Sequence, residues 1–452
     1  MLERRIFWIT SILFAFGLIF LAGLYSGIRE NFAFHFFKGI RDDIKAVLDD
    51  RSLRSLNQTP YDFLQPSRQS GVGVTINHSA SDENALILLS GFFDKGNEVR
   101  LVQRDGQIAA RWPVAFSDHF PDASHLTSPP ASDWKIDLHG ALINPDGSVV
   151  FNYEYGGTVK LSRCGEVLWT LAHPTHHSIS QAQRGGYWIP GRRYHQSGAE
   201  GNIPPFAYLS AEGVLADDLL LLVSETGEIM MEKSVTDLLY ENGHVALMTA
   251  TGQSFEPEMS WDQELVHVNK VAELPEDFAT AFPTLETGDL AVSIRQYNLL
   301  FVVDPDTWVI KWHQTGPWLR QHDPEFLADG SIVIFNNNLF IHWMLDGERS
   351  NPAAPRISNI MKINPRTGHS EIVYGMKPGQ QLMSIIRGKV DPTPAGGWLI
   401  TEFEAGRALE VDADGNAVWE YINRYDEDQV LEITEARRYG ADYFTVENWD
   451  CP

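Results

Sequence analysis

Histidine recurs in this chain at one kind of place, just ahead of a glycine-containing turn and an apolar run. His139 leads to Asp146-Gly147 and residues 149–151, and His177 to Gly185-Gly186 and residues 187–189. His267 leads to Gly288-Asp289 and residues 290–292, and His322 to Asp329-Gly330 and residues 332–334. Arg387 holds the same place before Gly396-Gly397 and residues 398–400, and His78 before residues 86–88 is a weaker first member. A lone buried histidine is usually a satisfied core residue. Several at one repeat position imply a shared radius in the fold, hence a ring. Such a ring is a cationic or hydrogen-bonding cup suited to an anion. It has no carboxylate pair for glycoside chemistry, and no His/Cys spacing tight enough to demand a metal. No metal and no cofactor are therefore expected.

The elements that must position this ring are also repeated. Each leading residue is followed by a hairpin: an apolar strand, a turn, then a strand ending in an aromatic or apolar residue. The hairpins are Leu101 to Gly106 and Trp112, Leu161 to Gly165 and Trp169, and Leu222 to Gly227 and Met231. Three more are Val302 to Trp308 and Trp312, Ile363 to Gly368 and Tyr374, and Val411 to Gly415 and Trp419. The Asp-Gly and Thr-Gly pairs supply the positive φ of a tight hairpin. Trp308 stands where glycine is expected, so that turn should differ. Six such pairs of elements predict an all-β, six-bladed β-propeller, in which radial repetition buries both faces of each sheet. Spacings of about sixty residues suit blades better than the short coils of a solenoid.

The formal charge of -25 excludes a general nucleic-acid binder, which needs a basic surplus against phosphates. Two cysteines, Cys164 and Cys451, leave room for one disulfide and not for a disulfide framework. Residues 6–28 are almost wholly apolar and follow Arg4 and Arg5, which predicts an uncleaved single-pass anchor with a cytoplasmic N-terminus. A cleaved signal peptide is the competing reading. The expected organisation is a cytoplasmic tip and transmembrane anchor over 1–29, a helical stalk and linker over 30–72, and the propeller over 73–452. The propeller is expected on the periplasmic side of the inner membrane.

Several segments, in series, carry a resemblance. Asp262-Gln-Glu-Leu-Val-His267-Val-Asn269-Lys-Val271 is followed by Gly288-Asp-Leu-Ala-Val-Ser-Ile-Arg295 and the hairpin from Asp304 to Trp312. Then come Gln321-His322-Asp323-Pro324, the strand ending Phe335-Asn-Asn337, the pair His176-His177 upstream, and residues 398–421 near the end. In this order they resemble the bacterial arylsulfotransferase family from about Leu138 to the C-terminus. The resemblance implies transfer of a sulfuryl group from an aryl sulfate donor to a phenolic acceptor without a nucleotide. It implies that His322 is the nucleophile, becoming a sulfohistidine, and that Arg295, His267 and Asn269 bind the sulfuryl oxygens. His177 would be acid to the leaving phenolate and base to the incoming phenol, with activity falling as histidine gains a proton. His176, His139 and Arg387 complete the substrate-binding set.

The chain departs from the family pattern at Lys270, where Ser is usual, at Asn336, where Asp is usual, and at Ser178, where Asp is common. Asp323 has two readings, orienting an imidazole or capping the turn at Pro324. A quinoprotein dehydrogenase is the weaker rival, because that fold typically needs eight blades. A noncatalytic propeller binding anions or a partner, as an accessory subunit of a membrane complex, is the rival from another class.

Overall fold

The computed structural model describes residues 2–29, 60–78, 84–94, 96–196, 214–249, 265–339 and 358–451. Two compact units divide the chain, 1–59 and 60–452. In the first, Leu2–Arg29 form one helix, and Phe14, Phe16, Ile19 and Phe20 are exposed. Counting only the described residues, which leaves out the side chains of Ile6, Ile9, Ile12 and Leu13, no helix is long and apolar enough to cross a membrane. The expected stalk lies almost wholly outside the described residues.

The second unit is a six-bladed propeller. From inner to outer strand, blade two is Leu138–Ile143, Val149–Tyr153, Gly157–Leu161 and Val167–Leu171. Blade three is Ser180–Gln181, Tyr187–Gln196, Val214–Val223 and Ile229–Ser234, and blade four is Val268–Glu273, Leu290–Ile294, Leu299–Val303 and Ile310–Thr315. Blade five is His322–Phe326, Ile332–Asn336, Asn359–Ile363 and Ser370–Tyr374. Blade six is Lys389–Pro392, Trp398–Glu402, Arg407–Val411 and Ala417–Ile422, with Gly73–Asn77 added as a fifth, outermost strand. Every pairing is antiparallel and the central strands are buried on both faces.

Blade one corrects the sequence reading. Its outer strands are Leu86–Phe93, Gly96–Gln103 and Ile108–Pro113, but its inner strand is Ile433–Tyr439 from the far end of the chain. Ring closure thus joins two distant segments. It leaves His78 just past the outermost strand of blade six, bonded through its backbone to Val418, and not on the channel. Residues 60–72, read as linker, include the strand Leu64–Pro66, which pairs with Gln429–Leu431.

The terminal aromatics of the hairpins staple blades together. The indole of Trp112 in blade one donates to the Ser162 and Arg163 carbonyls in the turn of blade two, at 3.2 and 3.0 Å. Trp169 does the same to Glu225 of blade three at 2.9 Å, and Trp419 of blade six to Arg104 of blade one at 2.8 Å. Gly227 (φ +87°) meets both demands of its turn, since a Cβ there would lie 2.8 Å from the Trp169 ring. Trp308 was expected to change its turn; instead it adopts the left-handed conformation itself (φ 59°), as Gly368 does (φ 70°) in the matching turn of blade five. Its indole packs against the core between blades three and four, and that burial offsets the backbone strain. Cys164 and Cys451 form a disulfide that ties the C-terminal tail to the hairpin of blade two.

Candidate functional site

The leading histidines of four blades converge at the axis. His139, His177, His267 and His322 sit at or just before the inner strands of blades two to five, and all four, with His176, are buried. The His177 Nε2 lies 3.3 Å from His267 Nε2, and His177 Nδ1 lies 2.7 Å from His176 Nδ1. The His139 ring lies 3.9 Å from that of His177, centroid to centroid and tilted by 35°, and the His322 ring lies 5.8 Å away with 27° between the planes. Burial lowers the basicity of three of them: His139 and His177 fall well below the ordinary imidazole value, with the neighbouring charges adding to the effect. His322 is pushed down to about 3, first by burial and then by the Arg295 guanidinium. All three are neutral at pH 7.

The tautomer of His322 follows from its surroundings. The Asn337 amide donates both N–H groups, to the Ser384 and Arg387 carbonyls at 2.8 Å each, so its Oδ1 faces His322. That oxygen lies 2.7 Å from His322 Nδ1, and the Arg320 carbonyl lies 3.1 Å from the same atom. Two acceptors on Nδ1 require the proton there. Nε2 is left with its lone pair, buried and without a hydrogen-bond partner among the described residues.

The segment carrying His322 is held by its neighbours. Gln321 donates to Ser293 Oγ and the Leu299 carbonyl of blade four at 3.0 and 2.9 Å, while Asn269 donates one amide N–H to the Gln321 carbonyl at 2.6 Å. Asn269 therefore braces the backbone just before His322, and its amide carries a second N–H. Asn336, one of the departures, accepts from the Leu319 and Asn338 amides at 2.9 and 3.1 Å and shapes the same loop. Asp323 (φ 57°) contacts no imidazole. Its carboxylate accepts from Ser178 Oγ at 3.1 Å and the Val390 amide at 2.9 Å, and pairs with Lys270 at 3.0 Å. The other two departures, Ser178 and Lys270, thus meet at one carboxylate.

Lys270 also pairs with Glu325, and Lys389 with Glu435 at 2.5 Å. Although burial opposes its charge, Asp323 and Glu325 hold Lys270 above its ordinary value. Burial would raise Asp323, but Lys270 and Lys389 hold it below the usual carboxylate range. Burial and the neighbouring Glu325 push Asp391 up to about 7.

Arg387, expected in the anion cup, is instead committed to carboxylates: it pairs with Asp137 and lies 3.3 Å from Glu154. Its charge is balanced there, because a buried guanidinium cannot be left alone. Asp218 and Arg192 escaped the sequence reading. They face each other across two strands of blade three at 2.6 Å, and Asp218 lies 3.6 Å from His176 Nε2. The signal was present, since Asp217-Asp218 interrupts an otherwise apolar strand and buried acids require partners. His176, His177 and His267 also place one ring nitrogen each within 4.8 Å of one another, a grouping that linear spacing does not reveal.

If this lattice carries the axis, Lys270→Met should cost about 3–5 kcal/mol, because it strands Asp323 in the interior. Denaturant unfolding measures this, and a loss below about 1 kcal/mol would show that the carboxylate is held by its neutral donors alone.

No curated protein matches the chain. A Bacteroides caccae protein of unknown function shares 12% identity over 75% of this chain and 93% of its own, with a TM-score of 0.45. Virginiamycin B lyase from Staphylococcus aureus shares 12% over 80% and 88%, with a TM-score of 0.39. Residues 138–424 match the family described as arylsulfotransferase (ASST). That span contains every histidine of the cup and most of the propeller, and the chain belongs to the arylsulfotransferase family.

Proposed function

We propose that this protein moves a sulfuryl group from an aryl sulfate ester to a phenolic acceptor through a sulfohistidine at His322. The observation that carries the reading is the surroundings of His322, whose Nδ1 faces two acceptors and whose buried Nε2 has no hydrogen-bond partner among the described residues. In the first step Nε2 attacks sulfur, the N–S bond forms, and the S–O bond breaks with its electron pair leaving on the donor phenolate. In the second, the acceptor phenol gives its proton to His177 as its oxygen attacks sulfur and the N–S bond breaks. His177 then returns the proton to the released phenolate or to water. Division into two displacements lowers each barrier. Arg295, His267 and the second N–H of Asn269 hold the sulfuryl oxygens, where a desolvated cup makes each donor effective.

The lowered basicity of His177 weights its part toward base. A neutral imidazole is a poor acid, so donors with acidic phenols, which leave without protonation, are the better substrates. The acid limb expected from histidine titration is displaced too. His322 is neutral above about 3, so protonation does not remove the nucleophile as pH falls through the ordinary imidazole range. With a chromogenic aryl sulfate, kcat/KM should stay level from about pH 8 to about pH 5, well above the lowered value. His322→Ala should fall to background, and Arg295→Lys should lose on the order of a hundredfold, because the guanidinium fork is gone. A limb centred near the ordinary imidazole pKa, or parental turnover by His322→Ala, would contradict the mechanism.

We also propose that residues 6–28 anchor the propeller on the periplasmic side of the inner membrane. Arg4 and Arg5 ahead of the apolar stretch and the Cys164–Cys451 disulfide, a bond that persists in oxidising compartments, support it. Protease added to intact spheroplasts should digest the propeller; protection until lysis would place it in the cytoplasm.

A further inference from the structure

The cup holds more imidazole than sulfuryl transfer requires. Besides the nucleophile and the base, His176 is buried against His177. Three imidazoles in one desolvated place are a ligand set for a borderline transition ion. A tetrahedral zinc with bonds of about 2.0–2.1 Å separates its nitrogen ligands by about 3.3 Å. The His177 and His267 Nε2 atoms already stand 3.3 Å apart. The nitrogen offered by His176 completes a triangle whose sides are all within 4.8 Å, and a modest rotation of that ring closes the difference.

The surroundings suit the same ion. The Asp218 carboxylate lies 3.6 Å from His176 Nε2 and is fixed by Arg192 at 2.6 Å and the Val268 amide at 2.8 Å. The 3.6 Å separation exceeds a hydrogen bond, but the carboxylate stands behind the ring while His176 Nδ1 faces His177 at 2.7 Å, and a carboxylate behind a ligating imidazole raises its donor strength. Three nitrogen donors with no carboxylate among them favour zinc, cobalt or nickel over magnesium or calcium, which take oxygen ligands.

We propose that His176, His177 and His267 form a binding site for one zinc-class ion, and that its occupancy excludes sulfuryl transfer. The exclusion rests on the function proposed above: a ligated His177 nitrogen cannot accept a proton, and a ligated His267 cannot hold a sulfuryl oxygen. The binding itself does not depend on that function. Metal occupancy and substrate anion then compete for one cup, and the ion acts as an inhibitor.

The full-length protein, stripped with chelator and titrated with Zn2+ against a chromophoric competitor, should take up one ion per chain. Co2+ in its place should give the intense visible absorption of a low-coordinate nitrogen site. His267→Gln and His176→Gln should each abolish that uptake while retaining the parental circular dichroism. His313→Ala should leave it intact; His313 stands 4.4 Å, ring to ring, from His244 outside the cup and is the natural source of a surface site. In an aryl sulfate assay, one equivalent of Zn2+ should stop turnover and chelator should restore it. Absence of stoichiometric uptake, uptake unchanged in both glutamine variants, or undiminished turnover by the zinc-loaded protein would overturn the proposal. A protein that binds zinc through these histidines but turns over no aryl sulfate would refute the function and keep the site.

Discussion

The Asp323 carboxylate is the point on which the axis of this propeller depends. It accepts from Ser178 at the entry to blade three and from the Val390 amide of blade six, and it pairs with Lys270 of blade four, while its own backbone opens blade five. Four of the six inner strands are thereby referred to one group. Its neighbour in sequence is His322, so the placement of that imidazole is set by the same bonds. A carboxylate removed from water this far holds its charge only because Lys270 and Lys389 lie beside it. Those lysines are in turn held by Glu325 and Glu435. Among the described residues of this network, Lys270, Lys389 and Arg437 face Asp323, Glu325, Glu435 and Asp391, and Asp391, raised to about 7, takes up part of the imbalance as a proton.

Desolvation has the opposite consequence a few ångströms away. Burial leaves His139, His177 and His322 neutral, although Glu154 lies 3.8 Å from His139 and Asp218 3.6 Å from His176. Neutrality is what a nucleophile at sulfur and a base for a phenol both need, and it is also what a metal ligand needs. The charged network and the cup are therefore complementary: ionic bonds fix the strands, and the groups proposed to react are kept free of charge. The departures from the family pattern fit this division. Lys270 and Ser178 replace other residues at the floor, where both contact Asp323, and Asn336 braces the loop before His322.

Much of this was legible in the sequence because a propeller converts repetition along the chain into equal radius in space. His139, His177, His267 and His322 could be assigned to one mouth before any coordinate was known. Two residues broke the pattern for physical reasons. His78 sits where the repeat suggests an inner strand, but ring closure fills that place with Ile433–Tyr439, and no local signal distinguishes the two. Arg387 occupies the right position, yet Asp137 and Glu154 neutralise it, and those contacts join residues more than two hundred positions apart. Asn337 likewise takes its role from carbonyls on another blade's segment, Ser384 and Arg387, about fifty positions away. Spacing gives the radius of a residue; it does not give its partners across blades.

The central claim is that His322 carries the sulfuryl group between donor and acceptor. The most direct measurement is to incubate the protein with an aryl sulfate and no acceptor, digest it at non-acidic pH, and locate the added mass. The account predicts sulfuryl on the peptide containing His322, lost when a phenol is added and absent in His322→Ala. A label on another histidine, or turnover of a confirmed donor with no label on any peptide, would contradict it.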